Sequence, residues 1–130
     1  MTRFNMAIIY EFDPQIYPRL VWVAINPSRS DLEKFFGRYA TAIKDMDETY
    51  DAQCWATGRE FPDQRGGVLV IFKSKVAMTA DTMAHEATHL AMMIFDYVGA
   101  TPNINDQEPF AYLVGWITRC INVAKKSKLK

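Results

Sequence analysis

Gly67-Val68-Leu69-Val70-Ile71-Phe72-Lys73-Ser74, followed closely by Thr79-Ala80-Asp81-Thr82-Met83-Ala84-His85-Glu86-Ala87-Thr88-His89, is the stretch that decides how this chain folds. Its first part is an unbroken run of branched and aromatic residues of strand length, the clearest strand in the sequence. Its second part opens with a threonine suited to cap a helix, and Asp81 is suited to the positive end of the first turn. Gly99 is the expected C-cap and Pro102 follows shortly after, so the spacing predicts a helix ending near Val98.

Outward from this strand–helix unit the remaining elements are shorter. Residues 4–12 are β-rich until Asp13-Pro14 interrupts them, and 17–25 read as a second strand with Pro18 near its start. Asn26-Pro27-Ser28 is a turn. Ser28 or Ser30 caps a helix predicted to reach about Lys44, with Leu32, Phe35, Phe36, Tyr39 and Ile43 at helical spacing. Residues 53–57 read as a short strand and 58–67 as a polar turn. A last helix begins between residues 106 and 109 and runs to about Lys125. The order implies an α+β fold: a small, mostly antiparallel sheet with helices on one side.

A length of 130 residues, 49% of them hydrophobic and 13% aromatic, suits one domain, residues 1–130, with a substantial core. Lysine plus arginine equals aspartate plus glutamate, 15 against 15, which gives no global footprint for nucleic acid or an anionic membrane. The basic end, Lys125-Lys126-Ser127-Lys128-Leu129-Lys130, reads as a solvated helix terminus. No signal peptide or membrane-length apolar run is evident. Cys54 and Cys120 form no C-x-x-C pattern and suit a reduced cytoplasmic pair. The expected location is the cytoplasm of a bacterium or a phage-infected host.

The chemistry-bearing feature is His85-Glu86-Ala87-Thr88-His89, an H-E-x-x-H motif that uses both histidines of the chain. Histidines four apart on a helix project from one face and can reach one metal ion, while Glu86 lies beside them. Met83, Ala87, Leu90, Ile94 and Tyr97 share the core stripe; His85, His89, Met92 and Asp96 lie nearly opposite, so the histidines are not core residues. On the last helix Phe110, Val114, Ile117 and Ile121 form the apolar face, with Glu108, Tyr112, Gly115 and Arg119 opposite it. If these two polar faces meet, Glu108 completes a His-His-Glu zinc site; Asp106 is the rival third ligand, although an N-cap role suits it better. Pro109 favours the first helical turn and leaves the orientation of Glu108 open.

The motif resembles that of the zincin metallopeptidases of the gluzincin type, in which two motif histidines and a glutamate on a later helix bind zinc. Eighteen residues separate His89 from Glu108, similar to the spacing in several gluzincin families. The resemblance covers roughly residues 67–120. It implies a minimal zincin-like fold with Zn2+ on His85, His89 and Glu108, Glu86 as general base, and residues 68–72 as the edge strand that pairs with extended substrate. The stretch from Gln107 to Trp116 is also similar to small H-E-x-x-H proteins of bacteriophages and prophages. Two features depart from related patterns: Phe95 stands where metzincins carry a third histidine, and Tyr112 where thermolysin-like enzymes carry an acid.

The expected activity is zinc-dependent hydrolysis of peptide bonds in a peptide or protein substrate, through a metal-activated water with Glu86 as base. Tyr112, one turn after Glu108, is the candidate to stabilise the oxyanion or orient a ligand. Two readings compete: a zincin-fold metal-binding module with a regulatory or interaction role, of the kind a phage could encode, and a metal-free interaction domain. Neither the substrate nor the oligomeric state is legible.

Overall fold

The computed structural model describes residues 2–3, 8–47 and 49–127. In chain order its elements are β1 (Thr2–Arg3), β2 (Ile9–Phe12), β3 (Leu20–Ile25), α1 (Arg29–Phe36), a 3₁₀ helix (Gly37–Ala42), β4 (Ala52–Arg59), β5 (Arg65–Phe72), α2 (Ala80–Val98) and α3 (Glu108–Lys126). Part of the strand expected over 4–12 lies outside the described residues.

Every residue of β3, and every residue of β5 from Gly67 onward, is buried. A strand buried on both faces needs cover on both, and this sets the layout. The strands form one sheet in the order β1-β2-β3-β5-β4. β1–β2, β2–β3 and β4–β5 pair antiparallel, whereas β3 and β5 pair in parallel from Leu20↔Gly67 to Ile25↔Phe72. The α+β class and the mostly antiparallel sheet agree with the sequence reading. The parallel pair follows from the long excursion through α1, the 3₁₀ helix and β4, because parallel neighbours cannot be joined by a hairpin.

One face carries Val21, Val23, Val68 and Val70, covered by Met83, Ala87, Leu90 and Ile94 of α2 and by Leu113, Ile117 and Ile121 of α3. The other carries Leu20, Trp22, Leu69 and Ile71, covered by Leu32, Phe35 and Phe36 of α1 and by Ala40 and Ile43 beyond it. The expectation of helices on one side therefore needs correcting. α2 and α3 share a face, but α1 takes the opposite one, since the alternate side chains of β3 and β5 are equally apolar and would otherwise meet water.

Local signals account for the element ends. The Ser28 hydroxyl accepts from the Asp31 N–H at 3.0 Å and the Asp31 carboxylate accepts from the Ser28 N–H at 2.9 Å, a reciprocal capping box. α1 stops at Phe36 rather than near Lys44 because Gly37 turns to φ 64°, ψ −131°. Thr79 caps α2 and Gly99, in the left-handed region, ends it by donating to Asp96 and Phe95. Gln107 stands at the start of α3, so Glu108 and Pro109 occupy its first turn.

The second strand position also needs correcting. Residues 68–72 are not an edge: β5 is paired on both sides, and β4 is the edge strand beside the motif helix. The signal for β4 was weak because its residues up to Thr57 are only partly buried or, at Ala56, exposed. Arg59, with Glu11, is one of three charged residues buried in the described chain. It donates from Nε to Glu11 Oε1 at 2.6 Å, and Trp22 Nε1 donates to the same oxygen at 2.8 Å.

Candidate metal centre

The first half of α2 builds the site. Burying Met83, Ala87, Leu90 and Ile94 against the sheet turns His85 and His89 outward, as the apolar stripe requires, and both are exposed. Their Nε2 atoms lie 3.1 Å apart, with the rings nearly perpendicular at 75°. Two nitrogens on a tetrahedral zinc, each about 2.05 Å from the ion, stand about 3.3 Å apart, so the pair has the bite of a chelating pair. In the absence of an ion, the same geometry is a hydrogen bond with one Nε2 protonated. Among the described residues, the one group of three or more side chains with metal-ligand atoms converging within 4.8 Å is His85, Glu86 and His89.

Glu86 occupies a different environment from the histidines. It lies a quarter turn round the helix, toward β4, and is only 6% exposed. Its Oε2 is 3.7 Å from His85 Nε2. Its Oε1 accepts from the Cys54 thiol at 3.4 Å, and its backbone carbonyl lies 3.9 Å from the same sulfur. Burial first, and then the charge and hydrogen bond of Glu86, pushes the Cys54 thiol far above its ordinary range. Cys54 is thus a neutral donor that holds one carboxylate oxygen, leaving the other turned toward the histidines. No local signal marks Cys54, because its partner is 32 residues away and the contact depends on which strand forms the edge.

Glu108 is not brought to the histidines. α2 and α3 form an antiparallel hairpin in which the Phe95 and Phe110 rings meet at 5.2 Å and Lys125 Nζ donates to the Met78 carbonyl at 2.6 Å. This register sets the start of α3 beside the end of α2. His89 and His85 are then about 9 and 15 Å along the axis from the Phe95 level. The facing surfaces are the apolar ones: Leu113, Ile117, Cys120 and Ile121 point into the core. The polar face with Glu108, Tyr112, Gly115 and Arg119 turns away and lines a separate groove with Ile16 and Tyr17. The expected roles of Glu108 as ligand and Tyr112 as oxyanion donor required the polar faces of the two helices to meet, and it is the apolar faces that do. Asp106 is likewise apart, bridging backbone with Asn103 in the exposed connection.

A cavity of about 390 Å³ lies further along the motif face, between β4 and α2. Ala56, Val68, Met92 and Met93 give it apolar walls; Arg19, Asp96 and Tyr97 complete it. Met92 and Asp96 continue the histidine face of α2, and Ala56 is two residues along β4 from Cys54. The Arg19 guanidinium stacks on the Tyr97 ring at 4.0 Å and donates to the Gly67 carbonyl at 3.3 Å, while its buried Nε has no partner.

No family model, curated protein or solved structure matches this chain. No helix among the described residues is long and apolar enough to cross a membrane.

Proposed function

We propose that this protein is a zinc-dependent metallopeptidase with a two-histidine centre on α2. The observation that carries the reading is the chelating separation of His85 and His89 next to a buried, oriented Glu86. Two neutral imidazoles suit zinc, and their outward orientation leaves both ring nitrogens open to solvent and substrate. His85 and His89 hold the ion; a bound zinc ion supplies Lewis acidity toward a carbonyl oxygen and toward water.

The remaining chemistry belongs to the chain. Glu86 removes the proton from the attacking water and returns it to the amine that leaves as the peptide bond breaks. Cys54 fixes the Glu86 rotamer, so the basic oxygen needs little reorganisation. β4 has one unpaired edge in the described sheet, which suits recognition of an extended peptide by strand addition. The adjoining cavity suits an apolar substrate side chain, with Arg19 available for a carboxylate. Free thiols at Cys54 and Cys120 are compatible with a reducing cytoplasm.

A second reading, a metal-binding interaction module, is favoured by one observation: the converging group contains no third protein ligand beyond Glu86. Metal analysis combined with a peptide-library cleavage assay separates the two. The peptidase reading expects about one zinc per chain, lost in His85→Ala and His89→Ala. It also expects cleavage that Glu86→Gln lowers by at least about a hundredfold while zinc is retained. Stoichiometric zinc with no cleavage of any peptide favours the module, and no zinc uptake by the purified protein refutes both.

A further inference from the structure

α3 has a second face that the metal centre does not use. Glu108, Tyr112, Gly115 and Arg119 fall on one line along the helix and are all exposed, Tyr112 at 73%. With Ile16, itself 82% exposed, and Tyr17 from the β2–β3 connection, they line a groove of about 700 Å³. Neither Glu108 nor Arg119 forms an ion pair among the described residues. A Cβ added at Gly115 would meet nothing within 4 Å, so this glycine leaves an open notch in the middle of an otherwise bulky stripe.

The order of these residues is self-complementary. A two-fold axis running beside α3, level with the midpoint of Leu113 and Val114, lays two copies of the helix antiparallel. Residues at equal distances on either side of the axis then face one another. Glu108 meets the partner's Arg119, and Arg119 meets the partner's Glu108. Tyr112 meets the partner's Gly115, so each ring enters the notch left by the missing side chain. Charge matches charge at both ends and bulk matches space in the middle, on a stripe about 17 Å long. Such complementarity is what a closed two-fold interface demands, where one patch must fit itself.

We propose that this face binds a second copy of the chain, forming an antiparallel α3–α3 dimer. Unlike charges at the ends make the parallel arrangement unfavourable, since that would set Glu108 against the partner's Glu108. The contact is one helix wide and short of a standard interface, so the dimer is a weak one. The metal centre lies on the other helix, turned outward near β4, and stays open in the dimer.

Sedimentation equilibrium of the full chain over a wide concentration range tests this, with circular dichroism confirming the fold of each variant. The native chain should dimerise. Glu108→Arg alone, and Arg119→Glu alone, should weaken association about tenfold or more by placing like charges together at both ends. The double variant Glu108→Arg/Arg119→Glu exchanges the charges and should return to within about threefold of the native constant. Gly115→Leu fills the notch and should give a monomer that is no less stable than the native monomer, because it removes a mid-helix glycine. A native chain that stays monomeric throughout, as it would if the groove took an unrelated protein, overturns the proposal. A dimer indifferent to Gly115→Leu and to both charge reversals also overturns it, since association would then use another surface.

Discussion

Replacing Glu11 with alanine is expected to remove about 4 kcal/mol of stability. Glu11 and Arg59 are 5% and 4% exposed, and they join β2 to β4 across the two strands between them. Removing one partner of a buried ion pair costs about 3–5 kcal/mol, because the other charge is left in a medium that solvates it poorly. Arg59 Nε would lose its 2.6 Å bond and Nη2 its 3.3 Å bond, and the Trp22 indole would lose its 2.8 Å acceptor. An orphaned donor of the last kind adds about 1–3 kcal/mol. Against this, Nη1 keeps the Phe61 carbonyl at 3.2 Å, the Asp63 carbonyl at 2.5 Å and the Asp63 carboxylate at 3.3 Å, which offsets part of the loss. A chain of this length has roughly 6–20 kcal/mol in total, so the change is large, and it should lower Tm by about 12–18 °C. Urea unfolding followed by tryptophan fluorescence is the assay, since Trp22 is fully buried. The companion variant Glu11→Leu/Arg59→Met removes both charges and should recover at least about half of the loss. A cost below about 1 kcal/mol for Glu11→Ala, or strict additivity in the cycle, would refute the reading of the pair as desolvated and mutually dependent.

Three further outcomes follow from the packing and the site. Gly67→Ala should destabilise by about 2–3 kcal/mol in the same assay, because its Cβ would overlap the Leu20 carbonyl oxygen and stand 2.8 Å from the Trp22 ring, with no relaxed position between paired strands; a neutral result would contradict the tight β3–β5 register. Cys54→Ala should leave zinc stoichiometry intact and lower peptide cleavage about three- to tenfold, the worth of one weak hydrogen bond to Glu86; loss of zinc instead would make Cys54 part of the metal site. The Asp81 carboxyl is lowered by the Thr79 hydroxyl that donates to it and by the backbone of the first turn of α2. Its folded pKa lies below the unfolded value, so it stabilises the protein above the ordinary aspartate range and the benefit is lost as pH falls through the folded value; a carboxyl titration by NMR with a midpoint at or above about 3.9 would exclude this.

Much of the fold was legible because its signals are local. The caps at Thr79 and Gly99 bracket α2 as read from sequence, since both act within one turn of backbone. The apolar run at 67–74 gave β5, and helical spacing placed Met83, Ala87, Leu90 and Ile94 on the core stripe, where they are buried, and His85 and His89 off it; Tyr97, placed on the same stripe, is instead 59% exposed, because it stands in the last turn of α2 with its ring against the Arg19 guanidinium. Residues carrying mixed signals were harder. β4 holds Gln53, Thr57 and Gly58 among few apolar residues and takes its form from pairing with β5, eight residues deep in antiparallel register. Arg59 looked like part of a polar turn, and only the distant Glu11 and the loop carbonyls account for its burial.

The sequence alone determined the α+β class, the motif helix and the convergence of His85 and His89, because four residues of α-helix fix that geometry whatever surrounds them. Tertiary structure decided the rest of the site. The Phe95–Phe110 contact set the hairpin register, and with it the separation of Glu108 from the histidines. The double-sided burial of β3 and β5 sent α1 to the opposite face and made β4 the edge, which delivered Cys54 to Glu86. Spacing along a chain fixes contacts within an element; contacts between elements depend on which apolar faces bury against each other, and that is settled only by the packing of the whole.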